Sequence, residues 1–438
     1  MQLSSLLGHV QEVLSVIRSS GKPADSLIDS FFRTRKYLGS HDRRFIAETT
    51  YGTLRHLRFC EFLVDRGISG LKAGQDRQML TIAAYLVGVE KRPDVQPDAL
   101  KERIADPHLK ERLSDFLGSL KNGGDVLPAD PVERMAIEYS FPTWMIEKFL
   151  SQFPRPVVEQ LCRSLNEPAP LTLRVNTLKT TAATCQEALS KAGIQTTTTG
   201  LSPFGLRVVK RMNIFTIQAF RDGWFEVQDE GSQLLPLIVD PKPTAKVLDA
   251  CAGAGGKSLA FAALMKNRGE IYATDINGYR LGELKKRTRR AGAFNVRVLE
   301  LDSLDDLSEQ YRGYFDVVFI DAPCSGLGTL RRNPGLKWLV TQNTVNELTE
   351  KQMSILQSSA ELVKPGGELV YATCSLLKDE NEDVVESFLA AHPEFEELRT
   401  SPRGNDLSAE LKTLPTKLFP HTHGTDGFFC SILMKSLS

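Results

Sequence analysis

The first 128 residues repeat apolar positions at the three- and four-residue spacing of helix faces. One face is marked by Leu6, Val10, Val13 and Ile17, and others by Phe45, Ile46, Thr49, Thr50 and Leu54 and by Met79, Leu80, Ala83, Ala84 and Val87. Strand-like alternation is scarce here, so the pattern predicts an all-helical zone over residues 1–128. The polar residues 90–124 contain three prolines and finish with Asn122-Gly123-Gly124, which predicts the end of the zone.

Residues 129–235 mix helical and strand-like patterns. The spacing predicts helices over 144–153 and 181–192, and strands over 171–176 and 205–209. Residues 171–176 alternate apolar and polar side chains, as a half-buried strand would. Such a small α/β domain could present a sheet face carrying Arg174 and Asn176 to RNA.

Residues 236–438 alternate short apolar runs with amphipathic helices. Strands are predicted over 247–250, 271–273, 296–301, 315–320 and 368–372, and helices up to 265 and over 279–291, 345–363 and 384–389. This alternation is typical of a doubly wound parallel sheet, so the fold class of this zone is α/β.

Two of the predicted strands lead directly to a cysteine. Asp321-Ala-Pro-Cys324 follows one strand, and Tyr371-Ala-Thr-Cys374 ends the other. Open α/β sheets bind ligands at the carboxyl ends of their strands, and two thiols there suggest covalent chemistry on carbon. For either cysteine alone, a place in the core is an equally good interpretation.

Three acidic residues end successive strands near a glycine-rich turn. The turn is Cys251-Ala252-Gly253-Ala254-Gly255-Gly256, followed by Lys257, and the acids are Asp275, Asp302 and Asp321. Its spacing differs from a phosphate-binding loop, which disfavours an NTPase. Asp275 has the offset of a ribose-binding acid, and Asp302 is placed for the adenine side. These residues alone leave NAD and S-adenosylmethionine open, and the cysteines favour S-adenosylmethionine.

Charge and cysteine content limit which functions and cellular locations are expected. Lys+Arg and Asp+Glu both number 54, so the overall charge argues neither for nor against nucleic-acid binding. The seven cysteines are scattered without a Cys-x-x-Cys pair, which disfavours disulfides and zinc, and no metal is predicted. No apolar stretch is long enough for a membrane span, and Gly8, His9 and Glu12 interrupt any signal-peptide core, so a cytoplasmic location is expected.

A basic cluster in the first zone could bind RNA phosphates. Its members are Arg33, Arg35, Lys36, Arg43, Arg44, Arg55 and Arg58. From charge alone, a solvated helical face is the better interpretation.

Several motifs in order resemble the Sun/RsmB family of RNA cytosine-C5 methyltransferases. They are residues 228–233, the turn 251–257, Asp275, Asp302, residues 321–324, 331–338, 372–375 and 424–429, with 140–144 and 170–177 in the middle zone. The first zone resembles the family's NusB-like RNA-binding domain, at 42–45 and 51–55. Gly253-Ala254 stands where the family usually has Ala-Pro.

The resemblance implies a Rossmann-like class I methyltransferase domain that uses S-adenosylmethionine. It implies Cys374 as the nucleophile on cytosine C6 and Cys324 as the residue that assists release. Asp321 would then contact the cytosine ring or the cofactor. The turn Cys251 to Lys257 would bind the cofactor with Asp275, Asp302 and Asp321. Arg331, Arg332 and Lys337 are candidate phosphate contacts or part of a solvated loop.

Several alternatives stay open on the residues. In DNA cytosine-C5 methyltransferases the nucleophile comes from a Pro-Cys segment, which would select Cys324. The chain could also be an inactive RNA-binding assembly factor, or could methylate a DNA, tRNA or nitrogen target, although no Asn/Asp-Pro-Pro-Tyr segment supports nitrogen chemistry. The NusB-like zone favours small-subunit ribosomal RNA, and a monomer is expected.

Overall fold

The structure is a computed structural model that describes residues 1–122, 127–210, 212–301, 303–401 and 407–437. Gly123 and Gly124 of the predicted break lie outside the described residues, and so does Asp302. The chain forms two compact units. One contains residues 1–168 and 330–341, and the other contains 169–329 and 342–438. Within the described residues, no helix has the length and apolarity needed to cross a membrane.

The first unit is helical, as its apolar spacing predicts. Its helices are Leu3–Ser20, Ala24–Thr34, Ser40–Arg55, Leu57–Gly67, Gln75–Ala83, the π-helix Ala84–Val89, Pro97–Lys101, Pro107–Asn122, Pro131–Glu138, Thr143–Gln152, Arg155–Leu165 and Leu336–Leu339. Leu6, Val10, Val13 and Ile17 are all buried in one core. The three-zone division, with boundaries at 128 and 235, stays a prediction.

Residues 330–341 return from the second half of the sequence to this first unit. Lys337 is fully buried there. Its Nζ donates to the carbonyl oxygens of Arg55 and Ser140, both at 3.0 Å, and to Asn166 Oδ1 at 2.6 Å. Both predictions for Lys337, a phosphate contact and a solvated loop, are therefore wrong, because its side chain is buried and its Nζ donates to three oxygens inside the unit.

Most of the predicted basic cluster is also paired within the first unit. The ion pairs join Arg33 to Asp29, Arg35 to Glu12, Arg44 to Glu48 and Arg58 to Glu133. Arg55 is buried and donates to the Arg331 carbonyl oxygen at 3.0 Å. An RNA-binding role for this unit stays a prediction.

The second unit contains a four-stranded antiparallel sheet in the order β2-β3-β1-β4. Its strands are β1 Thr172–Val175, β2 Thr196–Thr198, β3 Gly205–Val208 and β4 Phe225–Val227. All four residues of β1 are buried, so the predicted half-buried strand is wrong in its burial. Arg174 and Asn176 donate to backbone oxygens instead of facing RNA, with Asn176 Nδ2 bonding Gly223 O and Ala291 O.

A larger sheet of mixed direction forms the rest of the second unit. Its strands are β5 Lys246–Asp249, β6 Glu270–Asp275, β7 Val296–Glu300, β8 Phe315–Asp321, β9 Val363–Thr373, β10 Phe395–Glu397, β11 Thr416–Leu418 and β12 Phe428–Lys435. The order is β10-β12-β9-β8-β5-β6-β7, with β11 also on β12. Strands β5 to β9 pair in parallel and β12 runs antiparallel to β9. The order reverses at β5, which lies between β8 and β6.

Helices cover both faces of this sheet, as a parallel sheet requires. The helices of the unit are Ala182–Lys191, Gln218–Arg221, Glu230–Val239, Gly256–Leu264, Gly278–Ala291, Ser308–Tyr311, Gln342–Ala360, Glu382–Ala391, Ala409–Lys412 and Pro420–His423, with 3-10 turns Leu304–Leu307, Leu327–Thr329 and Lys378–Glu380. The prediction of a helix through Val363 is wrong, because Val363 begins β9. The Rossmann-like fold is confirmed.

Candidate active site

The carboxyl ends of four neighbouring parallel strands meet at one edge of the large sheet. Asp249, Asp275 and Asp321 end β5, β6 and β8, and Thr373 ends β9. The Ala322 N–H donates to Ala372 O at 2.8 Å, which keeps β8 and β9 paired up to their ends. This edge, at the point where the strand order reverses, is where such sheets bind ligands.

The two cysteines predicted from the sequence lie side by side at this edge. Cys324 Sγ and Cys374 Sγ are 3.3 Å apart, and the Cys374 N–H also donates to Cys324 Sγ at 3.3 Å. Both are partly exposed free thiols. One small substrate atom could therefore contact both sulfur atoms.

An ion pair stands beside the thiols. Lys257 Nζ donates to Asp321 Oδ2 at 2.5 Å. Burial alone would lower the pKa of Lys257, but the charges of Asp321 and Cys374 outweigh it and raise this pKa above its ordinary value. The ammonium of Lys257 is thus retained at neutral pH.

Cys324 stands in an environment that favours its protonated form. The hydrogen bond to Cys374 and burial raise the pKa of Cys324 well above its ordinary value, and the charges of Cys374 and Glu380 act in the same direction. Cys324 therefore keeps its proton at neutral pH.

The glycine turn before helix Gly256–Leu264 adopts backbone conformations that favour glycine. Gly253 and Gly255 have φ angles of 55° and 83°. A Cβ on Gly255 would approach Leu284 Cγ to 2.6 Å. Gly253 and Gly256 lack side chains, and a Cβ at either position would come no closer than 3.7 Å to another part of the chain, so the backbone there and the helix amino terminus are accessible to a ligand.

Three polar side chains form hydrogen bonds to the backbone of this turn. Gly253 N–H donates to Asp275 Oδ2 at 2.9 Å. Arg287 Nη1 donates to Ala254 O at 2.7 Å, and Arg174 Nη1 donates to Gly256 O at 2.6 Å. The turn therefore keeps a defined shape without the proline that the family usually has.

Comparisons with known proteins identify the family of this chain. The family model "16S rRNA methyltransferase RsmB/F" matches residues 236–434, and a ferredoxin-like domain of RsmF/B-like methyltransferases matches 141–215. A probable ribosomal RNA small subunit methyltransferase B of Bacillus subtilis is 31% identical over 99% of this chain and 100% of its own length. The chain belongs to the RsmB/F methyltransferase family.

Other relatives of this RsmB/F methyltransferase show the same likeness over most of the chain. A probable ribosomal RNA small subunit methyltransferase B of Synechocystis is 32% identical, covering 91% of this chain and 92% of its own. The crystal structure of PH0851 superposes with a TM-score of 0.80 at 28% identity, covering 99% of both chains. The chain is therefore an enzyme of the methyltransferase class.

Two family motifs of this RsmB/F member, residues 228–233 and 424–429, are linked by hydrogen bonds close to Cys374. Asp229 Oδ2 accepts from the N–H groups of Gly231 and Asp426, at 2.8 and 3.2 Å. Gly427 N–H donates to Gly328 O, and Gly328 N–H donates to Cys374 O, both at 2.8 Å. The residues 228–233 and 424–429 thus support the backbone of Cys374.

Two acidic residues of the site are not apparent from its motifs. Asp249 is fully buried and accepts from Ser258 Oγ at 2.6 Å, while its Oδ1 has no hydrogen-bond partner. Burial raises the pKa of Asp249 to about 7, although the Ser258 hydrogen bond opposes this. Its position at a strand end, like that of Asp275, was the available signal. Glu380 lies between the two cysteine loops, the loops that carry Cys324 and Cys374. No sequence signal marks Glu380 as a site residue.

Cys251 shows a weaker relation to the site. Burial raises the pKa of its thiol, with Asp249 and Asp321 adding to the effect, and its side chain packs against the large-sheet core. Its backbone belongs to the glycine turn. Contact of Cys251, Ala252 and Ala254 with a cofactor stays a prediction.

Proposed function

We propose that this enzyme transfers a methyl group from S-adenosylmethionine to C5 of a cytosine in small-subunit ribosomal RNA through a covalent cysteine adduct. The observation that carries the proposal is the pair of thiols 3.3 Å apart, with the Lys257–Asp321 ion pair in the same site. Unactivated cytosine C5 is a poor nucleophile, and attack of a thiolate on C6 activates it. The site supplies both a nucleophile and a second thiol.

The residues at the strand ends suit S-adenosylmethionine. Asp275 lies where a carboxylate can accept from ribose hydroxyls, and the next residue, Ile276, is 66% exposed and could cover an adenine ring. The glycine turn leaves backbone N–H groups at the helix amino terminus accessible for the carboxylate of the amino acid end. When bound, S-adenosylmethionine supplies an electrophilic methyl group.

The charges support Cys374 as the attacking thiol. The positive charge of Lys257 would stabilise a thiolate formed on Cys374, whereas the raised pKa of Cys324 holds its proton. Cys374 Sγ would bond to C6, and C5 would then take the methyl group. Loss of the C5 proton would break the S–C6 bond and return Cys374. The assignment of Cys374 as the nucleophile therefore has physical support beyond the family motif.

Cys324 is suited to take the C5 proton only after the adduct has formed. The hydrogen bond to Cys374 and the charge of Cys374 both hold Cys324 protonated at first. Formation of the S–C6 bond consumes that charge, so both contributions disappear and Cys324 loses its proton more readily. Once that proton has passed to solvent, the Cys324 thiolate is a base next to the reacting carbon.

A basic helix supports RNA as the substrate. Helix Gly278–Ala291 carries six arginine or lysine residues and one acid. The side chains of Arg280, Lys285 and Arg289 are exposed and have no partner among the described residues. Tyr279 and Phe294, at either end, are 77% and 85% exposed. Cations with exposed aromatic rings are typical of single-stranded RNA contacts.

Labelled S-adenosylmethionine tests this proposal. The purified protein is incubated with separated 16S rRNA, 23S rRNA, tRNA or DNA, and modified nucleosides are identified by mass spectrometry. We expect 5-methylcytosine in 16S rRNA alone. Label in tRNA would change the substrate, label on another atom would refute the covalent mechanism, and no label in any RNA would refute the proposal.

A further inference from the structure

A buried carboxylate links the two cysteine loops. Glu380 ends the 3-10 turn Lys378–Glu380 and has no solvent-exposed surface. Its Oε1 accepts from the Ser325 N–H at 2.7 Å, and its Oε2 accepts from the hydroxyls of Ser325 and Ser375, each at 2.5 Å. Ser325 and Ser375 directly follow Cys324 and Cys374. One side chain thus fixes the residue after each thiol.

The same glutamate is bonded to the segments that precede the cysteines. Gln352 Nε2 donates to Glu380 Oε1 at 3.2 Å and to Pro323 O at 3.0 Å. The Tyr371 hydroxyl donates to the Glu380 backbone oxygen at 2.6 Å. Both loops are therefore bonded to Glu380 on both sides of their cysteines, directly or through Gln352.

Neutral donors alone compensate the Glu380 charge. Among the described residues, no lysine, arginine or histidine pairs with it, and four hydrogen bonds reach its two oxygens. Burying a carboxylate costs several kcal/mol, and charge-assisted hydrogen bonds offset that cost only with accurate geometry. Displacement of either loop would break one of these bonds, so Glu380 opposes separation of the thiols.

We propose that Glu380 is a positioning residue that holds Cys324 and Cys374 at the separation needed for adduct formation and release. This inference rests on the function proposed above. A neutral side chain at position 380 would weaken the hydrogen bonds to Ser325, Ser375 and Gln352 and so would lose this separation of the thiols.

The test compares Glu380→Gln with Glu382→Gln. The first substitution keeps the size of the side chain but removes one acceptor oxygen and the charge. Glu382 lies two residues further on and pairs with Lys417, so its replacement is a matched control. The first readout is the rate at which diamide joins Cys324 to Cys374. In that reaction the two thiols give two electrons and two protons to diamide as one S–S bond forms.

Peptide mass spectrometry measures this cross-linking, which needs neither RNA nor S-adenosylmethionine. The second readout is steady-state methylation of RNA. We expect Glu380→Gln to slow cross-linking and to lower kcat, each by about tenfold or more, because small displacements of reacting groups are costly. The KM for RNA and the Kd for S-adenosylmethionine should stay within about twofold, and Glu382→Gln should leave both rates unchanged.

Cross-linking of a folded Glu380→Gln protein at the wild-type rate would refute the inference, as would an equal effect of Glu382→Gln. If Glu380→Gln does not fold, Ser325→Ala and Ser375→Ala each remove one donor to Glu380 and should slow cross-linking, and unchanged rates in both would refute it. Cross-linking does not depend on methylation. The cross-linking rates would therefore still test the role of Glu380 if the proposed function were refuted.

Discussion

Arg174 Nη1 lies 2.6 Å from the carbonyl oxygen of Gly256. The contact joins β1 of the four-stranded sheet to the glycine turn of the large sheet. Burial lowers the pKa of Arg174 to about 10, and the Glu226 charge opposes this, so the guanidinium stays charged at neutral pH. Glu226 also holds Arg287, whose Nη1 bonds Ala254 O. The small sheet therefore shapes the turn proposed to bind the cofactor.

We expect Arg174→Met to weaken S-adenosylmethionine binding by about tenfold, because a hydrogen bond from a charged group contributes about 1.5–3 kcal/mol. Isothermal titration calorimetry measures the Kd. Arg207→Met is the matched control, since Arg207 is an exposed residue of the same sheet. Equal affinities of the two variants would show that Arg174 has only a structural role away from the turn.

Replacing each thiol separately should distinguish formation of the covalent adduct from its release. Cys374→Ala should abolish methylation and form no protein–RNA complex. Cys324→Ser should form the adduct but release it slowly, because serine does not take up the C5 proton that Cys324 accepts. Denaturing gels with radiolabelled RNA show the complex. A complex in Cys374→Ala and none in Cys324→Ser would reverse the two roles.

The features that local sequence determines were predicted well. The strand ends, the glycine turn and both cysteines follow from short apolar runs and the residues after them, and Cys324 and Cys374 do meet. The packing of Arg174 was not predictable in this way, because alternation within β1 does not show what covers its second face. The covering group is the Gly256 carbonyl, more than eighty residues further along the chain.

Glu380 and Lys337 show the same limit for buried charges. A sequence indicates that a charged residue is present but does not reveal whether distant donors or acceptors enclose it. Glu380 bonds Ser325 across 55 positions, and Lys337 bonds Arg55 across 282. Both residues are therefore easily taken for solvated ones, although neither side chain is exposed.

His56 should make the first unit sensitive to acid. Burial, with the charges of Lys337 and Arg55, lowers the pKa of His56 from 6.5 to about 4. The unfolded chain takes up a proton near pH 6.5 and the folded chain does not until about pH 4. Stability should therefore fall as the pH decreases across this window and should not change further through His56 below it.

Thermal unfolding between pH 7 and pH 4 measures this effect. His56→Gln should lose less stability across the window than the wild type. His108→Gln should behave like the wild type, since His108 is exposed. A parallel pH dependence of His56→Gln and the wild type would rule out His56 as the group responsible.

Replacing Lys337 should destabilise the first unit. Lys337→Met leaves three buried or half-buried oxygens, on Arg55, Ser140 and Asn166, without their donor. We expect a loss of about 2 kcal/mol or more, since each unsatisfied buried acceptor costs about 1–3 kcal/mol. Urea unfolding measures it. Lys36→Met is the control, because Lys36 is exposed and has no partner among the described residues. Equal stability of the two variants would contradict this account.

The basic helix Gly278–Ala291 should contribute to RNA binding through charge. Lys285→Ala with Arg289→Ala removes two exposed cations that have no partner among the described residues. If both contact phosphates, the slope of log K against log salt should decrease by about 1.4–1.8, since each contact contributes about 0.7–0.9. The Kd for S-adenosylmethionine should not change. Filter binding of 16S rRNA fragments at several salt concentrations measures the slope. The double variant Lys191→Ala with Lys242→Ala removes two other exposed cations of the same unit, and it should keep the wild-type slope. An equal decrease in both double variants would mean that RNA responds to net charge alone and does not contact this helix.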